Sequence, residues 1–374
     1  MLTLNDLFQG FRQPEVIRAL AAQITELAKN LPEPLRVMEV CGGHTHTIMK
    51  YGLHQLLPAS IEFVHGPGCP VCIMPKERID QAIELASQPS VILVTLGDMI
   101  RVPGSKGSLA QQRAKGSDIR PVYDPLDALR IAKENPEKTV VFFAIGFETS
   151  TPMTAALLAA AEAEAEGIEN LLFHINHVLV PPAIHAVMAD GVAKVNAFIG
   201  PSHVSVITGA DIYLPIVERY QVPVVVSGFE PVDVMEALLM MVRQKVEGRY
   251  ALEVQYSRAV TASGNKAAQR LVDQYFETRE HFRWRGLGDI NASALRLRDA
   301  FAKRDAERYF QLDQTPIDDH KACQCADILR GLAKPNQCKV FGRGCTPTQP
   351  MGSCMVSSEG ACNAYYRYMG IQER

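Results

Sequence analysis

No stretch of this chain reaches about 18 uninterrupted apolar residues, so no membrane span is expected. Basic blocks are missing as well. With 38 Lys and Arg against 41 Asp and Glu, the formal net charge is -3, which argues against an electrostatic grip on nucleic acid. The first 30 residues carry acids and lack an apolar core run, so no secretory leader is expected. A cytoplasmic location follows as the default, and there thiols stay reduced unless they are catalytic, redox-active or metal-bound. Cysteine is absent from the 250 residues between Cys72 and Cys323. Scattered core cysteines do not leave such a gap. Cys41, Cys69 and Cys72 lie early, and the other six lie between Cys323 and Cys362.

The 374 residues suggest two or three domains at roughly 100–200 residues each, and 47% hydrophobic content is enough for sizeable cores. Residues 14–30 read as an amphipathic helix with Val16, Ile17, Leu20, Ile24 and Leu27 on one face. A repeated pattern follows, in which a short apolar run ends in a glycine or small polar turn and a helical segment comes next. The runs are "LRVMEV", "IEFVH", "SVILVTL", "TVVFFAI", "LLFHIN", "NAFIG" and "VPVVVS". Their near-continuous hydrophobicity suits strands buried on both faces, hence an α/β fold with parallel sheets. The expected division is an N-terminal helical segment over 1–33, an α/β unit over 34–130, a second over 131–240, and a tail over 241–374. "PVDVMEALLMMVRQKVEGR" and "NKAAQRLVDQYFE" read as helices, and "WRGLGDI" as a turn. The tail beyond Asp318 is rich in turn residues and too poor in aliphatics to form its own core, so it needs a staple.

Ligands of open parallel sheets bind beyond the carboxyl ends of the strands. Polar residues gather at those ends: Cys41 and His44, Cys69 and Cys72, Asp98, Glu148 and Thr149, Asn176 and His177, His203, and Glu230. Glycine turns alone could follow strands, but seven such ends suggest a cleft lined by Cys, His, Asp and Glu. Cys69-Pro70-Val71-Cys72 is a CxxC, either a redox dithiol or half of a metal site. It is expected to open the next helix, where the macrodipole favours a thiolate. No second CxxC completes a zinc ribbon, so redox is favoured. Cys41 has the same placement, and Gly42 and Gly43 are expected to let a ligand approach. His44 and His46 can activate it or share a metal. In the tail, Cys325, Cys338, Cys345 and Cys362 are separated by 12, 6 and 16 residues. Such spacing favours a metal centre, iron–sulfur or zinc, and leaves Cys323 and Cys354 as an extra thiol pair.

"MEVCGGHTH", "HGPGCPVC", "GDMIRVPGSKGSL", "GFETSTP", "GPSHVS", "GFEP" and "CMVSSEGACNAYYRY" together closely resemble the HypD family of hydrogenase maturation factors, from Arg36 to Tyr368. The resemblance implies a scaffold on which the Fe(CN)2CO group of NiFe hydrogenases is assembled, rather than an enzyme with its own turnover. It implies a small HypC-like partner that shares the iron with Cys41, and a HypE-like donor of cyanide made from carbamoyl phosphate by HypF. The hydrogenase large subunit is then served indirectly. The implied fold has two α/β domains facing a cleft and a third domain, from both chain ends, that holds a [4Fe-4S] cluster. Its implied ligands are Cys325, Cys338, Cys345 and Cys362, with Cys323 as an alternative to Cys325, and a disulfide between Cys323 and Cys354 is also suggested. An iron–sulfur thiol-disulfide oxidoreductase and a zinc-stapled interaction protein remain as competing readings.

Overall fold

The computed structural model describes residues 9–164 and 167–369. Eleven strands form two parallel sheets and one antiparallel hairpin among these residues. The first sheet has the order β2-β1-β7-β8-β9, built from β1 (Leu35–Glu39), β2 (Ile61–His65), β7 (Ala197–Pro201), β8 (Val224–Ser227) and β9 (Leu252–Val254). The second has the order β4-β3-β5-β6, from β3 (Val91–Leu96), β4 (Ile119–Val122), β5 (Thr139–Gly146) and β6 (Leu171–His177). All pairings within both sheets are parallel. The interior strands β5, β7 and β8 and the edge strand β6 are buried almost throughout, as their continuous apolar runs require.

The chain lays down β1 and β2, leaves to build the whole second sheet, then returns for β7, β8 and β9. The strands on either side of residue 130, β4 and β5, therefore lie in one sheet, each beside β3. Apolar runs look alike whichever neighbour they pair with, so chain order alone does not reveal this partition. Register aligns the carboxyl ends: Glu39 faces His65 on β2 and Ile199 on β7, and Gly146 faces His177. The turns after β1, β2, β7 and β8 consequently leave the first sheet along one edge.

Of the expected segment 1–33, residues 1–8 lie outside the described residues. The helix Pro14–Ala28 starts with proline at its first turn, where the missing amide costs nothing. Its buried face, Ile17, Ala21, Ile24 and Ala28, joins Leu35, Val37, Val234, Leu238 and Val242 in the core of the first sheet and the helix Pro231–Val246.

The segment "WRGLGDI" is the reversal of the hairpin β10 (Phe276–Trp284) and β11 (Gly288–Leu297), with Trp284 opposite Gly288. β10 carries Glu277, Arg279, Glu280 and His281 and is only half-buried, which hides its strand character in an apolar-run reading. The tail contains the short helix Cys325–Leu329 and the closing helix Ala361–Tyr368. It does not own a core. Cys325, Ile328, Leu329, Cys345, Cys354, Met355 and Cys362 pack with Met38, Val40, Cys69, Cys72, Phe147, Phe198 and Trp284 in one shared cluster. Among the described residues no helix is long and apolar enough to cross a membrane.

Candidate functional site

Cys41 caps the helix Gly42–Lys50 in an extended conformation, directly after β1. It is 5% exposed. Burial pushes its thiol well above the ordinary value, and the carboxylates of Glu359 and Glu39 add to this against the amides of Gly43 and His44. Without a metal it is therefore a protonated thiol at neutral pH. The glycines beside it do not hold space for a ligand. A Cβ on Gly42 would lie 2.3 Å from the Glu359 carbonyl oxygen, and one on Gly43 would lie 2.9 Å from the Phe229 ring. They admit the tail and an aromatic wall instead.

His203, at the start of the helix Ser202–Thr208 after β7, places Nε2 3.9 Å from the Cys41 sulfur. Phe229, after β8, stands between two imidazoles: its ring centroid is 4.5 Å from that of His44 and 5.0 Å from that of His203. His44 Nε2 donates to the Gly228 carbonyl at 2.9 Å, while its buried Nδ1 has no partner. Burial lowers both His44 and His203 to about 4, so both rings are neutral at pH 7. His46 turns the other way and meets the edge of Tyr368 at 5.2 Å.

Beneath Cys41 lies a network that motif reading missed. Glu39, buried at the end of β1, accepts from Thr45 Oγ1 at 2.6 Å and from His65 Nδ1. His65 Nε2 lies 3.0 Å from the hydroxyl of Tyr365 on the closing helix. The signal was a glutamate and a histidine at the ends of otherwise apolar strands. Glu359, from "SSEGAC", was also missed. Burial and the charge of Asp98 raise its carboxyl above the ordinary value.

Cys69 and Cys72 form a disulfide, both buried. They sit in a turn, not at a helix start: the helix begins at Lys76, with Pro75 at its cap. The preceding Gly68 lies on the backbone of Cys41, and its carbonyl accepts the Gly42 amide at 3.0 Å.

The remaining strand-end residues divide by role. Glu148 accepts the Val180 amide at 2.9 Å, its other carboxyl oxygen is buried without a partner, and burial raises its pKa to about 7. Thr149 is half-buried beside it. Glu230 is committed elsewhere, capping the helix Pro231–Val246 and accepting from Arg12 Nη2 at 2.7 Å. Asp98 pairs with Arg101 at 2.7 Å on the half-exposed turn after β3. His177 is buried against Thr154 at 2.8 Å, and Asn176 against Arg78 at 2.6 Å.

All six tail cysteines line one small cleft, with Ile328, Val340, Phe341 and Met355 as apolar walls. None of the six is in a disulfide, so the suggested Cys323–Cys354 bond is not made: the Cys354 sulfur instead approaches that of Cys325 to 2.6 Å, and Cys323 faces Gly352. Burial and neighbouring sulfurs hold Cys362 well above its ordinary value. Soft donors in apolar surroundings fit a thiolate-held iron–sulfur group. The cavity is tied to the CxxC turn, because Ser353 Oγ donates to the Cys72 carbonyl at 2.6 Å.

A family model for HypD, described as "Hydrogenase formation hypA family", matches residues 15–369. The chain belongs to the HypD family. The hydrogenase maturation factor HypD of Azotobacter vinelandii is 52% identical over 364 residues, covering 96% of this chain and 95% of that protein. HypD of Rhizobium leguminosarum bv. viciae is 51% identical over 374 residues, covering 97% and 96%. HypD of Escherichia coli K12 is 44% identical over 362 residues, covering 96% of each. Membership of the family gives this chain a role in hydrogenase maturation.

Proposed function

We propose that the chain serves hydrogenase maturation as an iron-binding redox scaffold, with Cys41 as the protein's ligand to the cargo iron of an Fe(CN)2CO group. The observation that carries this reading is the surroundings of Cys41: a buried thiol at a strand end, with the neutral His203 at 3.9 Å and the neutral His44 nearby. A thiolate is the protein donor best matched to a soft, low-spin iron. Metal binding must displace the thiol proton. His203, a neutral imidazole 3.9 Å away, can relay that proton onward but not keep it, and Phe229 packs against both imidazoles. Cys41 alone does not complete a coordination set. A thiolate from a HypC-like partner and cyanide from a HypE-like donor fill the rest, and the hydrogenase large subunit receives the product. We place this work in the cytoplasm.

Cys325, Cys338, Cys345 and Cys362 are the residues proposed to hold a [4Fe-4S] group in the tail. Such a group, when bound, supplies single electrons. Cys69 and Cys72 offer a two-electron disulfide beside it, which supports a second reading as an iron–sulfur thiol-disulfide oxidoreductase for a protein client. Infrared spectroscopy of the anaerobically purified chain with its HypC-like partner separates the two. Cyanide and carbonyl stretches are expected for the scaffold, and their absence from an iron-replete complex favours the oxidoreductase.

A further inference from the structure

The hairpin reversal between β10 and β11 is wedged between the CxxC turn and the cysteine cavity. The Arg285 amide donates to the Ile73 carbonyl at 2.7 Å, one residue beyond Cys72. Gly286 has a φ of +82°, and a Cβ there would lie 2.7 Å from Cα of Ala326, next to Cys325. This packing buries the Arg285 side chain, leaving the residue 4% exposed. Asp319 approaches it to 2.5 Å, without an aligned hydrogen bond, and Nε and Nη1 also lack an acceptor. Asp319 is shared with Lys76 at 3.7 Å, so one carboxylate faces two cations. A buried guanidinium with unfilled donors is costly unless an anion completes its surroundings.

Burial opposes the charge of Arg285, and the Asp319 carboxylate favours it. Four thiolates around a cluster concentrate negative charge where the cavity walls are apolar. A fixed cation beside them lowers the energy of each added electron.

We infer that Arg285 is the buried counter-charge of the tail group, a positioning residue that steadies its thiolate ligands and raises its reduction potential. This rests on the reading of the tail as a cluster site. The couple concerned is one electron added to the oxidised cluster to give the reduced cluster, with Arg285 charged in both states and no proton exchanged.

The test is a dithionite titration of the anaerobically purified full chain, followed by the electron paramagnetic resonance signal of the reduced cluster, with iron and sulfide counted in every sample. Arg285→Met is expected to keep the cluster and to shift the one-electron equilibrium about tenfold toward the oxidised form, equivalent to about 59 mV. Arg285→Lys keeps the charge and is expected to stay near wild type. Asp319→Asn leaves the guanidinium less compensated and is expected to shift the equilibrium the opposite way, which decides the matter if Arg285→Met does not fold. An unmoved potential in the variants that fold overturns the proposal while leaving the cluster in place. Arg285→Lys behaving like Arg285→Met also overturns it, because shape rather than charge is then responsible. Wild-type protein without iron and sulfide overturns the cluster reading itself, and the proposal with it.

Discussion

Gly68 lies flat against Cys41: a Cβ at Gly68 would come within 2.1 Å of the Cys41 amide nitrogen. The turn that carries the CxxC and the strand end that carries the lone thiol are therefore one packed unit. Gly68→Ala must push backbone against backbone, with no side chain to yield. It is expected to cost roughly 1–3 kcal/mol or more, in line with overpacked cores. Urea unfolding followed by circular dichroism measures this, and a wild-type midpoint would show that the two loops are not so tightly joined.

Glu148 links the end of β5 to the first amide of the helix Val180–Asp190. Burial raises its carboxyl to about 7, against an ordinary 4.5. The folded state thus holds a proton that the unfolded chain releases earlier. Its contribution is fully present below pH 4.5 and is lost as pH rises through 7. Glu148→Gln keeps an acceptor for Val180 and cannot ionise. It is expected to be more stable than wild type at pH 8, by up to about 3 kcal/mol, and close to it at pH 5. Unfolding of both proteins at the two pH values measures the difference, and comparing variant with wild type cancels the buried histidines. An equal gap at both values contradicts the assignment.

The tail thiols separate by substitution. Cys338→Ser and Cys362→Ser are expected to lose bound iron and sulfide and to loosen the tail, whereas Cys323→Ser keeps them. The sheets should survive, because one face of the first sheet, at Val37 and Leu238, and the second-sheet core at Phe142 and Phe173 are built without the cysteine segment 323–362. Metal analysis with far-ultraviolet circular dichroism provides the check. Full iron retention in both ligand variants contradicts the proposed set.

Cys69 and Cys72 are an oxidised, buried pair, while Cys41 and the tail cysteines are free. Alkylation after unfolding without reductant should label neither Cys69 nor Cys72, and mild reduction beforehand should label both. Labelling of both without reduction would remove the disulfide from the account.

The strand ends were legible because seven apolar runs each stop at a polar or glycine turn, and those runs became β1, β2, β3, β5, β6, β7 and β8. The sheet partition was not legible, since pairing is a long-range choice that a local run does not encode. β10 was hidden by its charges, and β4 by Pro121. At the site, Cys41, His44 and His203 come together as their strand-end positions implied, whereas Glu230 and His46 are drawn into contacts with Arg12 and Tyr368. Nothing local to residue 46 distinguishes it from residue 44; only the helix phase against the closing helix does. Arg285 was invisible for a similar reason. Its importance arises from a hairpin reversal landing beside cysteines that lie 38 residues or more farther along the chain.

The claim that Cys41 holds the cargo iron is tested most directly by infrared spectroscopy of the Cys41→Ala chain purified with its HypC-like partner. The account predicts a folded protein that keeps its tail iron and sulfide and lacks the cyanide and carbonyl bands of the wild-type complex. Cyanide and carbonyl bands of wild-type intensity in Cys41→Ala would place the iron elsewhere and contradict the account.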